Sequence, residues 1–216
     1  MAQTIQLGDP EALATRELSR RFSASVPEAA RFLATFEALD RQYGGHGKLP
    51  VEDAEELVAA ALTQMAHLEK TPEFAELTLG VALWAMRHDV AIRVAEPVAN
   101  ALAMRSNEAK TREELAAVFG LMQGVIAHVS PLLCADLERS NPERPWRVLH
   151  ANFAITAIRT EDAQMMAYAF DALDSALPDE RAGFYGEALA LAMNARIPEE
   201  VRGVIAGRHR RWLRDS

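Results

Sequence analysis

Cysteine is nearly missing from this chain: Cys134 is the only one among 216 residues. No disulfide can close within the chain and no thiolate cage for zinc can be assembled, so a reducing, cytoplasmic setting is the expectation. Aromatic residues make up only 6% of the sequence, and β-branched residues do not alternate with polar ones between turn signals, which argues against a sheet. Long apolar runs are missing too. The longest, such as Val81 to Met86 with Leu77 and Leu79 just ahead of it, fall far short of the ~20 residues that span a bilayer, so no membrane partner is expected. The stretch from Met1 to Arg21 carries Gln3, Thr4, Gln6, Asp9 and Glu11 where a secretory leader would carry basic residues and then an apolar core. Cationic excess is also lacking. Lys plus Arg number 23 against 31 Asp plus Glu, a net charge of -8, and that field repels phosphate backbones, so nucleic acid is not an expected partner.

What the chain does have is alanine and leucine. Half of its residues are apolar, enough for a sizeable core, and this Ala/Leu mixture favours helices. The expected fold is all-α: about ten helices stacked as antiparallel hairpins, either an α-solenoid or an irregular bundle. Prolines and short polar residues mark the starts. Asp9-Pro10 opens a helix to about Phe22, and Ser25-Val26-Pro27-Glu28 opens another to about Tyr43. Pro50 begins a third to about Lys70, and Pro72 a fourth whose Leu77, Val81, Trp84 and Ala85 form a face that must be buried. A fifth helix spans about Pro97 to Met104. Thr111-Arg112-Glu113-Glu114 is a capping box for a sixth to about Val129, which Ser130-Pro131 breaks. Four more cover about 146–158, 161–176, 179–194 and 198–213. Two prolines within Ser140 to Pro145 make that segment the expected boundary between an N-terminal helical subdomain, 1–139, and a C-terminal hairpin subdomain, 146–216, packed as one unit.

On a 34-residue frame beginning at Arg147, Ala154 stands at a small-residue position, Phe170 in the second helix, Pro178 at the closing turn, and Thr160-Glu161-Asp162 at the turn between helices. In these positions the C-terminal third resembles a degenerate tetratricopeptide repeat. A following unit from Arg181 places Phe184 and Ala188 suitably, but has Glu200 and Gly207 where small or apolar residues are usual. The resemblance implies a scaffold that binds proteins. Its inner face would fall on Val148, Ala151 and Ile155, then on Ala182, Tyr185 and Leu189. These are apolar, so the implied partner is an amphipathic helix or another copy of this chain.

Chemistry-bearing residues are sparse. Gly44-Gly45-His46-Gly47-Lys48 lacks the remaining glycine and the Ser/Thr of a phosphate loop and follows a helix, so it reads as a flexible turn. His88-Asp89, with His67 one helix earlier, resembles the HD-domain metal-dependent phosphohydrolases, which implies divalent-metal ligation by His67, His88 and Asp89. In that family the pair is commonly followed by an apolar residue, Gly and Lys, whereas Val90, Ala91 and Ile92 follow here. The alternative is a helix C-terminus in which His88 complements the dipole and Asp89 forms the turn. No Glu-x-x-His recurs and no Gly-x-Ser-x-Gly elbow is present, so neither di-iron nor serine-hydrolase chemistry is expected. Cys134, among Pro131, Leu132, Leu133 and Ala135, is expected to be buried. Ala116, Gly120 and Gly124 share one helical stripe and are expected to admit a close helix crossing.

The run from Arg208 to Arg214 stands out from the acidic remainder. Arg208, Arg210, Arg211 and Trp212, with Tyr185, are candidate contacts for a protein partner, or else a last helix covering the core end. Trp84, Met86, Met104 and Met122 are candidates for a small-ligand pocket between helices, or plain core. The resulting expectation is a non-catalytic scaffold or adaptor acting through a protein partner or self-association, with no catalytic residue, cofactor or metal assigned. The alternatives are a divergent metal-dependent phosphohydrolase and a small-ligand-binding regulatory bundle.

Overall fold

The computed structural model describes residue 38 and residues 51–66, 72–137, 139–194 and 197–213. The two expected helices before Tyr43, the Gly44 to Lys48 turn, His67 and Arg214 lie outside the described residues. Those that are described are all-helical, with nine helices and no strand. They are α1 (Val51–Ala66), α2 (Pro72–Arg87), α3 (Glu96–Glu108), α4 (Arg112–His128), α5 (Pro131–Cys134), α6 (Pro145–Thr160), α7 (Ala163–Ala176), α8 (Arg181–Asn194) and α9 (Glu199–Leu213). Among these residues no helix is long and apolar enough to cross a membrane.

The starts follow capping chemistry. The Thr111 hydroxyl accepts the Glu114 amide at 3.1 Å, and Glu114 reaches back to accept the amides of Thr111 at 3.2 Å and Lys110 at 2.7 Å. That reciprocal box satisfies amides that the first turn of α4 leaves without carbonyl partners. Asp162 does the same for α7, accepting Gln164 and Met165 amides at 2.8 and 2.9 Å. Pro145 stands at the first turn of α6, where its missing N–H costs nothing.

Two compact units are present: one of residues up to 101 with 127–130, the other of 102–126 with 131 onward. In the first, α1 packs on α2. Ala54, Val58, Ala61, Leu62 and Met65 of α1 are buried at helical spacing. The expected face of α2, Leu77, Val81, Trp84 and Ala85, is buried as well. This helix ends in a Schellman motif: the Val90 amide bonds the Ala85 carbonyl, and the Asp89 amide bonds that of Met86. Asp89 takes the left-handed position at φ 54°, a conformation that Asp tolerates better than most side chains. Ile92 then exchanges backbone hydrogen bonds with His128 and Ser130.

In the second unit α6 pairs with α7 and α8 with α9, two helical hairpins joined by short turns. Phe119 of α4 stacks on Phe153 of α6 at 4.4 Å, and Phe170 of α7 meets Tyr185 of α8 edge-on at 5.1 Å. The buried hydroxyls of Ser106 and Thr156 bond at 2.8 Å. Arg159 donates to the carbonyls of Ser106 and Ala109, so a cation closes the C-terminal end of α3, where positive charge complements the helix dipole. The helix runs on to Glu108, four residues past the expected end at Met104. The irregular segment Ser140 to Arg144 lies within this unit.

Two packing expectations are corrected. Cys134 is exposed, because α5 is a single turn that projects from the core and buries none of its residues. Gly120 is exposed, and a methyl group built there would meet nothing within 4 Å, so it does not mark a close helix crossing. The buried stripe of α4 is instead Leu115, Val118, Phe119, Met122 and Val125, which leaves Gly120 on the solvent side.

Candidate binding groove

The segment between α5 and α6 is held by a buried cation. The Arg144 side chain is 5% exposed and that of Asp136 7%, and the two form a bidentate pair, Nε to Oδ1 at 2.6 Å and Nη2 to Oδ2 at 3.2 Å. Arg144 also donates to Glu180 and to the Asn141 carbonyl, and Arg147 reaches Glu180 from α6. A guanidinium fork suits this arrangement, since it offers several coplanar donors without losing charge. Hydrogen bonding to Asp136 raises the Arg144 guanidinium above its ordinary value against the opposing effect of burial, with Glu180 adding to the rise. For Glu180, burial pushes the carboxyl up, but hydrogen bonds and charge from Arg144 and Arg147 outweigh it and hold it below the usual range. Asp136 adopts φ 47°, a left-handed backbone that the Arg144 contact fixes in place.

Beside this clasp runs an open groove of about 380 Å³, lined by Cys134, Asp136, Arg139, Trp146, His150 and residues at the end of α7. It adjoins a smaller hollow of about 90 Å³ that shares Asp136 and Arg139. His150 is 2% exposed, with Nδ1 3.0 Å from the Trp146 carbonyl and its ring 4.2 Å from the Trp146 indole. Burial pushes this imidazole below its ordinary value, while its bond to the Trp146 carbonyl and the charge of Asp136 pull the other way. It is therefore neutral near pH 7. Burial also raises the Cys134 thiol, against its own backbone amide, so the protonated thiol prevails. Leu132 and Leu137, on the same segment that supplies Cys134 and Asp136, are 81% and 88% exposed.

The residues singled out in the sequence are scattered. The His88 ring lies against Trp84 at 4.5 Å, whereas the Asp89 side chain is fully exposed and 3.7 Å from His128, so the two adjacent residues are not brought together as ligands. Among the described residues no group of three or more His, Cys, Asp or Glu could hold a metal ion. Trp84 and Met122 are buried core residues, and Met86 and Met104 are half-buried.

Tyr185 is fully buried and donates to Asp174 at 2.9 Å. Burial and the Asp174 charge push its phenol far above the ordinary value. Arg208 is turned inward too, donating to Asp174 at 2.8 Å and Asp171 at 2.6 Å. Burial disfavours its charge, yet bonds and charges from the two aspartates raise its pKa overall. Arg181 and Arg211 lie 3.5 and 4.5 Å from the Trp212 ring, while Arg210 is exposed. Arg208 and Tyr185 thus fasten α8 and α9 to α7 in the core, and Trp212 is covered by guanidiniums rather than laid open.

The sequence reading missed Arg144 and His150. A signal for His150 exists, since it stands on the stripe Trp146, Leu149, Phe153 and Ala157, where a polar residue breaks an apolar face. Arg144 has none, because its partners lie eight and thirty-six residues away. Compared with known proteins, the chain matches no family model, no curated protein and no solved structure.

Proposed function

We propose that this protein is a non-catalytic helical interaction module, a scaffold or adaptor of the cytoplasm. In this reading its C-terminal hairpins act in the manner of degenerate tetratricopeptide repeats, and a protein partner docks beside the groove. The observation that carries the reading is the exposure of Leu132 and Leu137 at 81% and 88% on one short segment that Arg144 pins in a fixed conformation. Exposed leucines on a preformed surface lose little entropy on binding and gain apolar burial, about 1.5–3 kcal/mol for each side chain fully covered. A second copy of this chain is the first partner to test.

Sedimentation velocity of the full chain, with a Leu132→Asp/Leu137→Asp variant beside it, provides that test. Concentration-dependent association that the double variant loses while keeping its helical circular dichroism supports the reading. A wild-type chain that stays monomeric at every concentration, and whose capture of proteins from its native host is identical to that of the double variant, overturns it.

A further inference from the structure

His150 carries an acceptor that the fold leaves unused. Its Nδ1 is committed to the Trp146 carbonyl. A carbonyl can only accept, so the proton sits on Nδ1 and the lone pair on Nε2. Nε2 has no partner among the described residues. The residue as a whole is only 2% exposed, yet Nε2 is not sealed off from solvent: the ring lines a groove of about 380 Å³, from which an incoming donor can reach it. That volume lies at the small end of ligand pockets.

The groove supplies a second specificity element. The Arg139 guanidinium is 63% exposed, and the described residue it meets is Asp179, at 3.4 Å and itself 77% exposed. So loose a surface pair contributes little and can be exchanged for an incoming anion. The other guanidiniums nearby are committed: Arg144 to Asp136 and Glu180, and Arg147 to Glu180. The same groove is lined by Trp146, Ala172, Ala176 and Pro178, apolar and aromatic surface suited to a flat apolar body.

We infer that this groove is a binding site for a small aromatic carboxylic acid bearing a hydroxyl donor, its carboxylate on Arg139 and its O–H on His150 Nε2. The ring lies along Trp146. The site is independent of the protein-docking reading and stands whether or not Leu132 and Leu137 meet a partner.

The test uses the full chain and 4-hydroxybenzoate as probe, with benzoate and phenol as controls, titrated by calorimetry and by ¹⁵N NMR of imidazole-labelled protein. Saturable binding is expected, weaker by about tenfold for either control, since each lacks one of two hydrogen-bonded anchors. His150→Phe keeps the ring volume, and is expected to bind 4-hydroxybenzoate no better than benzoate. Arg139→Gln is expected to bind it no better than phenol. In the wild type the His150 Nε2 resonance shifts with saturation. If His150→Phe fails to fold, Arg139→Gln, a surface change, and the Nε2 resonance decide. The inference is overturned by an absence of saturable 4-hydroxybenzoate binding, by equal affinity for all three probes, or by a His150 Nε2 resonance that does not move at saturation.

Discussion

Removing the guanidinium of Arg144 tests whether the groove-forming segment is held by a buried ion pair. In Arg144→Met the Asp136 carboxylate stays where it is, 7% exposed, without the two hydrogen bonds at 2.6 and 3.2 Å that satisfy it. Breaking a buried pair from one side costs about 3–5 kcal/mol, chiefly because the remaining charge is left desolvated. For a chain of this size each kcal/mol moves Tm by roughly 2–4 °C, so a fall of roughly 6–20 °C is expected. Asp136→Asn removes the charge but keeps a residue suited to the left-handed backbone, and Arg144 retains Glu180, so that variant loses less. The double variant is expected to be more stable than Arg144→Met alone, with a coupling of about 1–3 kcal/mol. Urea unfolding at pH 7 followed by circular dichroism gives all four corners of the cycle. A loss under about 1 kcal/mol in Arg144→Met, or effects that simply add, would refute the reasoning.

Gly120→Ala places a methyl group in open space on an exposed helix face and is expected to stabilise the chain by about 0.5–1 kcal/mol, read as a higher urea midpoint; a lower midpoint would mean the glycine serves a close approach after all. Thr111→Ala removes the hydroxyl that accepts the Glu114 amide and is expected to cost about 1 kcal/mol by the same assay, with Thr111→Ser restoring most of it. Because burial depresses the His150 imidazole, the unfolded chain takes up a proton that the folded chain resists. Stability therefore falls as pH drops below about 6.5, the ordinary histidine value, and His150→Phe flattens that part of the profile. A profile whose slope between pH 7 and 5.5 is the same in both proteins would contradict this.

Much of the fold was legible because helix ends are written in local chemistry. The Thr111 box and Pro72 each act within one turn of themselves, and the structure starts helices beside them; Pro131 marks the expected break after α4, and the structure also begins the unexpected single turn α5 there. The buried face of α2 was legible for a related reason: Leu77, Val81, Trp84 and Ala85 recur at the helical period. The groove was not. Its geometry depends on Arg144 meeting Asp136 and Glu180 across the chain, and nothing in the spacing of a proline-rich segment announces a buried arginine. Cys134 misled because its apolar neighbours sit on a single turn too short to bury anything. The basic C-terminal run misled in part because charge along the sequence does not show that Asp171 and Asp174 on α7 receive Arg208.

The claim that matters most is that the segment carrying Leu132 and Leu137 is a docking surface. It is tested most directly by placing a photo-crosslinking residue at position 137 in the full chain, expressed in its native host, with the same residue at exposed Glu113 as a control. Irradiation is expected to give a discrete adduct of higher mass, containing either a second copy of this chain or another protein, at position 137 alone. No discrete adduct at 137, or the same products at both positions, would contradict the account.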